Sequence, residues 1–290
     1  MKKHINLLDY RKRIYSRIGN DGIVKFILDT LGIEKGIFVE FGAWDGIWNS
    51  NCRGLFEKGW EGIFIEPHDK RYKKMKKTYR DKDRITCIRS KIKCQGDQTF
   101  DNIVDPYLKG KQIDFCSIDI DGLDLEIFET FKKYLPTVVC IEGGQVLHPF
   151  HKRVSKDISC KDIGQSLSVS VNSFEKRGYK ILCSYQDCFF VKKEFYNYFN
   201  VSDDILILYF NGLRARPLSI ASLQRHLTKV ALKNGIADYI LSKSKYNTCY
   251  GWKKRKEWVN IEISNILKYI NKAEVNERKK YEKNNVSDRN

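Results

Sequence analysis

Four apolar runs of this 290-residue chain end in acids: Val39-Glu40, Phe64-Ile65-Glu66, Cys116-Ser117-Ile118-Asp119-Ile120-Asp121 and Val139-Cys140-Ile141-Glu142. Runs of this apolar and β-branched character read as buried parallel strands. In open α/β sheets ligands collect at the carboxyl ends of such strands, so the four acidic ends share one edge. Asp119 and Asp121 lie two apart and face the same side if the strand persists that far. Close carboxylates repel one another, so they share a proton or hold a cation. Positioned singly, the same groups can act as general bases toward a hydroxyl. The competing structural reading makes Asp121-Gly122 a turn and Asp119 the cap of the next helix.

After the first acid comes Gly42-Ala43-Trp44-Asp45-Gly46. Glycine permits a positive φ and lets a ligand come close to the backbone. The spacing E-x-G-x-x-x-G differs from the dinucleotide fingerprint, and no Gly-Lys-Ser/Thr follows to hold a triphosphate. Glu66 stands twenty positions beyond Gly46, where a carboxylate in a βαβ unit accepts hydrogen bonds from ribose hydroxyls. Pro67 has no N–H to donate and stops the strand there. His148 and His151 follow the last acid; each reads either as an ordinary loop histidine or as a base.

These groups need elements to position them. Ile23 to Leu28 have helical spacing after the start signal Asn20-Asp21-Gly22, and Gly32 ends that helix. A short helix is expected from Arg53 to Lys58, and a Lys/Arg-dense, solvated one from Lys70 to Lys82. A third strand spans Arg84 to Arg89, and a helix from Phe100 to Leu108 is expected to break near Pro106. A further helix carries Leu125, Ile127, Phe128 and Phe131. Ser166 to Arg177 forms another, ended at Gly178, before a strand pair at Tyr179–Ser184 and Cys188–Lys192. Alternating strands and helices of these lengths define a doubly wound α/β sheet. The expected organisation is a basic segment over 1–19, one α/β domain over 20–199, a helical appendage over 200–275 and a charged, disordered tail over 276–290. Amphipathic stretches in the appendage should pack on the core or on a second copy in a homodimer.

Hydrophobic residues make up 42% of the chain, which excludes global disorder. No run approaches the ~20 apolar residues that span a bilayer, and the N-terminus lacks a signal-peptide core. Nine scattered cysteines, with no C-x-x-C pair, point to reduced thiols and a cytoplasmic location, and away from zinc. The formal net charge of +17 permits nucleic acid, anionic membrane or acidic glycan as a partner.

Taken in order, several segments resemble the FkbM-like family of S-adenosylmethionine (SAM) dependent methyltransferases over residues 16–200. They are Gly19-Asn20-Asp21-Gly22, Val39-Glu40-Phe41-Gly42-Ala43 through Gly46, Ser50-Asn51, and Gly59-Trp60 through Glu66-Pro67. Asp114 to Gly122, Val138 to Glu142, Gln165-Ser166-Leu167, Gly178-Tyr179 and Phe189-Phe190-Val191 complete them. The resemblance implies a Rossmann-like class I methyltransferase sheet, mostly parallel with a C-terminal antiparallel pair. It implies O-methylation of a sugar hydroxyl in a glycan, glycan precursor or sugar nucleotide. SAM would be held by Glu40, Gly42, Ala43, Gly46, Asn51, Glu66, Pro67 and Asp119. Asp119, Asp121, Glu142 and His148 would activate the acceptor, and Asp119, Asp121 and Glu142 would hold Mg²⁺ if a cation is used. Where the family pattern has Glu-Tyr-Asn, this chain has Glu142-Gly143-Gly144-Gln145, which bears on the acceptor pocket. Two other readings compete: a nucleic-acid (RNA) methyltransferase that uses the basic surface, although no N-P-P-Y-like motif follows the fourth strand, and a non-catalytic SAM-binding module.

Overall fold

The computed structural model describes residues 4–120, 122–143 and 165–215. Its frame is a seven-stranded sheet formed by β1 (Ile37–Phe41), β2 (Glu61–Ile65), β3 (Ile85–Ile88), β4 (Phe115–Ile118), β5 (Val138–Glu142), β6 (Tyr179–Ser184) and β7 (Asp187–Lys192). The strand order is β3-β2-β1-β4-β5-β7-β6. The first five strands pair in parallel, and β7 runs antiparallel to both β5 and β6. This is the expected Rossmann-like sheet with its C-terminal antiparallel pair. Winding proceeds outward from β1 to β3 and then reverses across to β4, so the switch point lies between the ends of β1 and β4. Gly42 and Asp119 stand there, just beyond the paired residues Phe41 and Ile118.

Helices cover both faces because the central strands are apolar on both sides. One face packs Phe38, Phe64 and Phe115 against α1 (Asn20–Thr30), α2 (Arg53–Glu57) and α3 (Asp69–Thr78). The other packs Val39, Phe41, Cys116 and Ile118 against α4 (Phe100–Leu108), α5 (Asp124–Glu129) and α6 (Leu167–Lys176). On that second face the rings of Phe128, Phe174 and Phe190 stack in a column at 3.8 and 3.7 Å. Leu7 and Leu8, in a 3₁₀ turn, are buried in the first face, so residues of the basic N-terminal segment belong to the core. After β7 come a second 3₁₀ turn (Lys193–Tyr198) and α7 (Ile205–Arg214).

Two local expectations are refined. The helix over Phe100–Leu108 continues through Pro106 instead of breaking there. Proline removes one N–H and crowds the carbonyl four residues back, but only Tyr107 and Leu108 of the helix lie beyond it. The basic helix starts at Asp69 and buries only Met75 among its own residues, in keeping with a solvated helix on a narrow apolar stripe. The helical stretches expected near 220–231 and 258–270, and the charged tail, lie outside the described residues.

Two glycines test how tightly this frame is packed. A Cβ on Gly62 of β2 would lie 2.1 Å from the Phe38 ring, whereas one on Gly54 of α2 meets nothing nearer than 3.6 Å. We expect Gly62→Ala to cost roughly 1–3 kcal/mol through overpacking. Gly54→Ala should stabilise by about 0.5–1 kcal/mol through backbone entropy. Urea unfolding of both variants checks the opposite signs.

Candidate cofactor and acceptor site

The segment from Gly42 to Asn51 leaves β1 and returns to α2 through four left-handed residues: Gly42 (φ 76), Trp44 (φ 53), Gly46 (φ 72) and Asn49 (φ 60). Such a turn cannot satisfy its own N–H groups by a regular ladder, so side chains must accept from them. Three buried acids do so. Glu40 accepts from Ser50 Oγ at 2.5 Å and from Asn51 N at 2.8 Å. Asp45 accepts from Ile47 N at 3.0 Å and from Trp48 N at 2.8 Å, while Lys74 Nζ pairs with its other oxygen at 2.6 Å. Glu66, at the end of β2, accepts from Trp44 N at 2.9 Å and from His68 N at 2.8 Å. Ser50 Oγ in turn accepts from Cys52 N and Arg53 N, which anchors the start of α2.

Both glycines of the motif have steric reasons. A Cβ on Gly42 would sit 1.6 Å from the carbonyl oxygen of Asp119, and one on Gly46 would sit 2.7 Å from the Tyr79 ring. Tyr79 also donates its hydroxyl to Gly46 O at 2.6 Å. Gly42 therefore serves the close meeting of β1 and β4 first, and any ligand second. Substituting valine at Gly42 would collide with protein backbone, so loss of binding in such a variant would come with loss of fold.

A second polar layer crosses the sheet below the turn. Asn51 Nδ2 donates to Ser117 Oγ at 3.0 Å, and Asn51 Oδ1 accepts from Asn20 Nδ2 at 3.0 Å. Asn20 Nδ2 also donates to Asp187 Oδ2 at 2.5 Å. The chain of contacts thus joins β1, β4 and β7 through the first residue of α1. Asp187 stands opposite Glu142 in the β5–β7 register. Asp119 follows the last β4 residue; its N–H donates to Phe41 O, and its side chain is exposed. Since Ile118 pairs with Ile141, Asp119 and Glu142 come next on neighbouring strands.

The expected site residues thus divide into two groups. Glu40, Asn51 and Glu66 are 5%, 8% and 2% exposed and carry internal hydrogen bonds; Glu40 and Asn51 lie behind the turn, whereas Glu66 ends β2 beneath its first residues. Asp119 and Pro67 are exposed at the carboxyl edge and Glu142 is half-buried there, with Ala43 buried in the turn. Asp121 and His148 lie outside the described residues. Among the described residues no group of three His, Cys, Asp or Glu side chains could hold a metal ion. Among the described residues no cysteine is in a disulfide.

Three participants escaped the sequence reading. Asp45 carries a turn signal in Asp45-Gly46, but its ion pair with Lys74 is a tertiary contact. Asp124 accepts from Ile120 N at 2.8 Å and from Gly122 N at 2.9 Å, and so does the loop-holding work expected of Asp119 in the structural reading. Asp187 read as part of a hairpin turn, yet it opens β7 beside the carboxyl end of β5.

Burial sets the charges here. It pushes Glu40 up from 4.5 to about 7, against the lowering effect of Ser50 and the Asn51 N–H. It likewise pushes Asp187 up to about 6, with Asn20 opposing and Asp124 reinforcing. Burial also tends to raise Asp45, but Lys74 and the N–H groups of Trp48 and Ile47 outweigh it and hold that carboxyl below its usual value.

No protein-family model matches the chain, and no curated protein matches it by sequence. Among solved structures, similarity extends to a SAM-dependent methyltransferase from Aquifex aeolicus at 12% identity and TM-score 0.35, covering 58% of this chain and 86% of that one. A TehB-like SAM-dependent methyltransferase from Corynebacterium glutamicum is 10% identical with TM-score 0.38, covering 63% and 90%. The Podospora anserina methyltransferase PaMTH1, with SAH bound, is 12% identical with TM-score 0.36, covering 59% and 78%.

The Glu40 clamp yields a pH prediction. Because its folded value is raised, the native protein keeps a proton that the unfolded chain has already released above 4.5. Its contribution to stability is therefore full at low pH and is lost as pH rises through about 7. Glu40→Gln should flatten the fall in unfolding free energy between pH 5 and 8 by on the order of 3 kcal/mol. Denaturant titrations at several pH values measure this difference in slope.

Proposed function

We propose that the chain is a SAM-dependent methyltransferase that transfers the methyl group to a sugar hydroxyl. The observation that carries this reading is Glu66. Its carboxylate stands at the end of β2, oriented by the Trp44 and His68 N–H groups. A carboxylate offers about four acceptor positions, and two of these are used. The remaining lone pairs are of the right chemistry for the two hydroxyls of a ribose, and the β1 turn lies directly against the same group. The donor set therefore fits an adenosyl cofactor, with Glu66 for the ribose and the 42–46 turn, Pro67 and Asp119 as its other neighbours. When bound, SAM supplies an electrophilic methyl group on a sulfonium centre.

What the chain itself must do is align the acceptor and take its proton. Asp119 and Glu142 lie at neighbouring strand ends and are the proposed acceptor-binding and base residues, and the same roles are proposed for Asp121 and His148. The hydroxyl is activated by these carboxylates directly or through a hard cation such as Mg²⁺, for which oxygen ligands are suited. The FkbM-like resemblance supports a glycan or glycan precursor as acceptor. A second reading, the ribose of a nucleic acid, is favoured by one observation: the helix next to the turn is densely basic and faces solvent.

Isothermal titration with SAM tests the cofactor assignment. Wild-type protein should bind SAM and not nicotinamide cofactors. Glu66→Ala should raise the SAM Kd by roughly 10–100-fold, the scale of charge-assisted hydrogen bonds. Equal affinity in wild type and Glu66→Ala would remove the ribose assignment. For the chemistry, Asp119→Asn and Glu142→Gln should each lower turnover at saturating SAM by about 10²-fold or more if they take or orient the proton. Turnover lost on chelation and restored by Mg²⁺ would identify the cation route.

A further inference from the structure

The surface beside the turn carries features that methyl transfer alone does not need. Trp48 is 62% exposed, Trp44 44% and Ile47 37%, all on the same short segment. Large apolar side chains gathered on one exposed turn mark an interaction site. The turn is joined to α3 twice: the Arg71 guanidinium lies 3.4 Å from the Trp44 ring centroid, and Lys74 pairs with the buried Asp45. From Lys70 to Lys93 the chain has twelve Lys and Arg against two Asp. Lys73 and Arg89 are paired with Asp69. Lys76, Lys77 and Arg80 are exposed and form no ion pair among the described residues. These three, with Lys73, Tyr72 and Tyr79, line a groove of about 360 Å³ whose far wall is Ile85 and Cys87 of the edge strand β3. No acid lines it.

We propose that this face docks single-stranded nucleic acid, with bases stacking on Trp48 and phosphates lying along Lys76, Lys77 and Arg80. Charge complementarity selects a polyanion, because unpaired cations along a groove gain by displacing the counterions of a phosphate chain. The exposed tryptophans favour one with accessible bases, since stacking on aromatic side chains is how unpaired strands are held without sequence preference. A duplex hides its base faces, and a bilayer surface offers no chain to fill a groove. The inference rests on the methyltransferase reading in one respect only: it makes the acceptor sugar a ribose within a strand led past the glycine turn.

Fluorescence anisotropy with a labelled 20-nucleotide single-stranded RNA, on the full chain and across a salt series, tests the proposal. Binding should weaken with salt, and the combined Lys76→Ala, Lys77→Ala and Arg80→Ala variant should reduce the log–log salt slope by roughly two, from about 0.7 per phosphate contact. Trp48→Ala should weaken RNA binding by about tenfold or more while leaving binding to heparin, which has no bases, unchanged. Circular dichroism and thermal melting confirm that both variants are folded, and titration with SAM on the triple variant should give the wild-type Kd. Absence of RNA binding at low salt, or equal RNA affinity in wild type and the triple variant, would overturn the proposal. So would equal loss of heparin and RNA binding in Trp48→Ala, or preferential binding to anionic vesicles. RNA binding without SAM binding would instead sustain the docking surface and refute the methyltransferase assignment.

Discussion

The structure depends on satisfying the N–H groups of a turn that winds through left-handed backbone. Trp44 and Asn49 adopt positive φ without being glycine, which costs on the order of 1–3 kcal/mol each and persists only where the surroundings hold it. Glu40, Asp45 and Glu66 provide that hold, one at each end of the turn and one within it. An unpaired buried carboxylate or amide would cost a few kcal/mol, so acids and turn stabilise each other. The same geometry brings Gly42 under the Asp119 carbonyl and so fastens β1 to β4 where the winding reverses. Ligands of open α/β sheets gather at such a switch point; the detailed shape of this one follows from the three carboxylates.

This arrangement changes what the acidic strand ends mean. An acid that ends a core strand can face a ligand or face back into the loop that follows. Glu40 faces back and Asp119 is exposed, while Glu66 is spent on the loop at both oxygens in the free chain, fixing Trp44 with one and His68 with the other. The polar layer beneath, from Asn51 through Asn20 to Asp187, carries the same order across the sheet to β7. Because Asp187 lies opposite Glu142, a change in its protonation near pH 6 acts at the edge where the acceptor is proposed to bind.

Much of this was legible in the chain. The strands, their parallel order and the gathering of Glu40, Glu66, Asp119 and Glu142 at one edge follow from apolar runs and their alternation with helices. Glycines 42 and 46 could be singled out, but not their reasons, since the Asp119 carbonyl and the Tyr79 ring come from distant segments. The same limit hid Asp45 and Asp187, whose partners Lys74 and Asn20 come from distant segments; Asp124 holds the local N–H groups of Ile120 and Gly122, a role that Asp119, as the acid ending the apolar run, drew in the sequence. Pro106 was misjudged because its position relative to the helix end decides its effect, and helix ends are the least legible feature of a sequence.

Hydrogen–deuterium exchange on the ligand-free protein, followed by addition of S-adenosylhomocysteine, tests the central claim most directly. If carboxylates pre-form the turn, the amides of Trp44, Ile47, Trp48 and Asn51 exchange slowly before any ligand is present, and residues 42–48 slow further once it is added. Fast exchange of those four amides in the free protein, with no change on addition, would contradict the account.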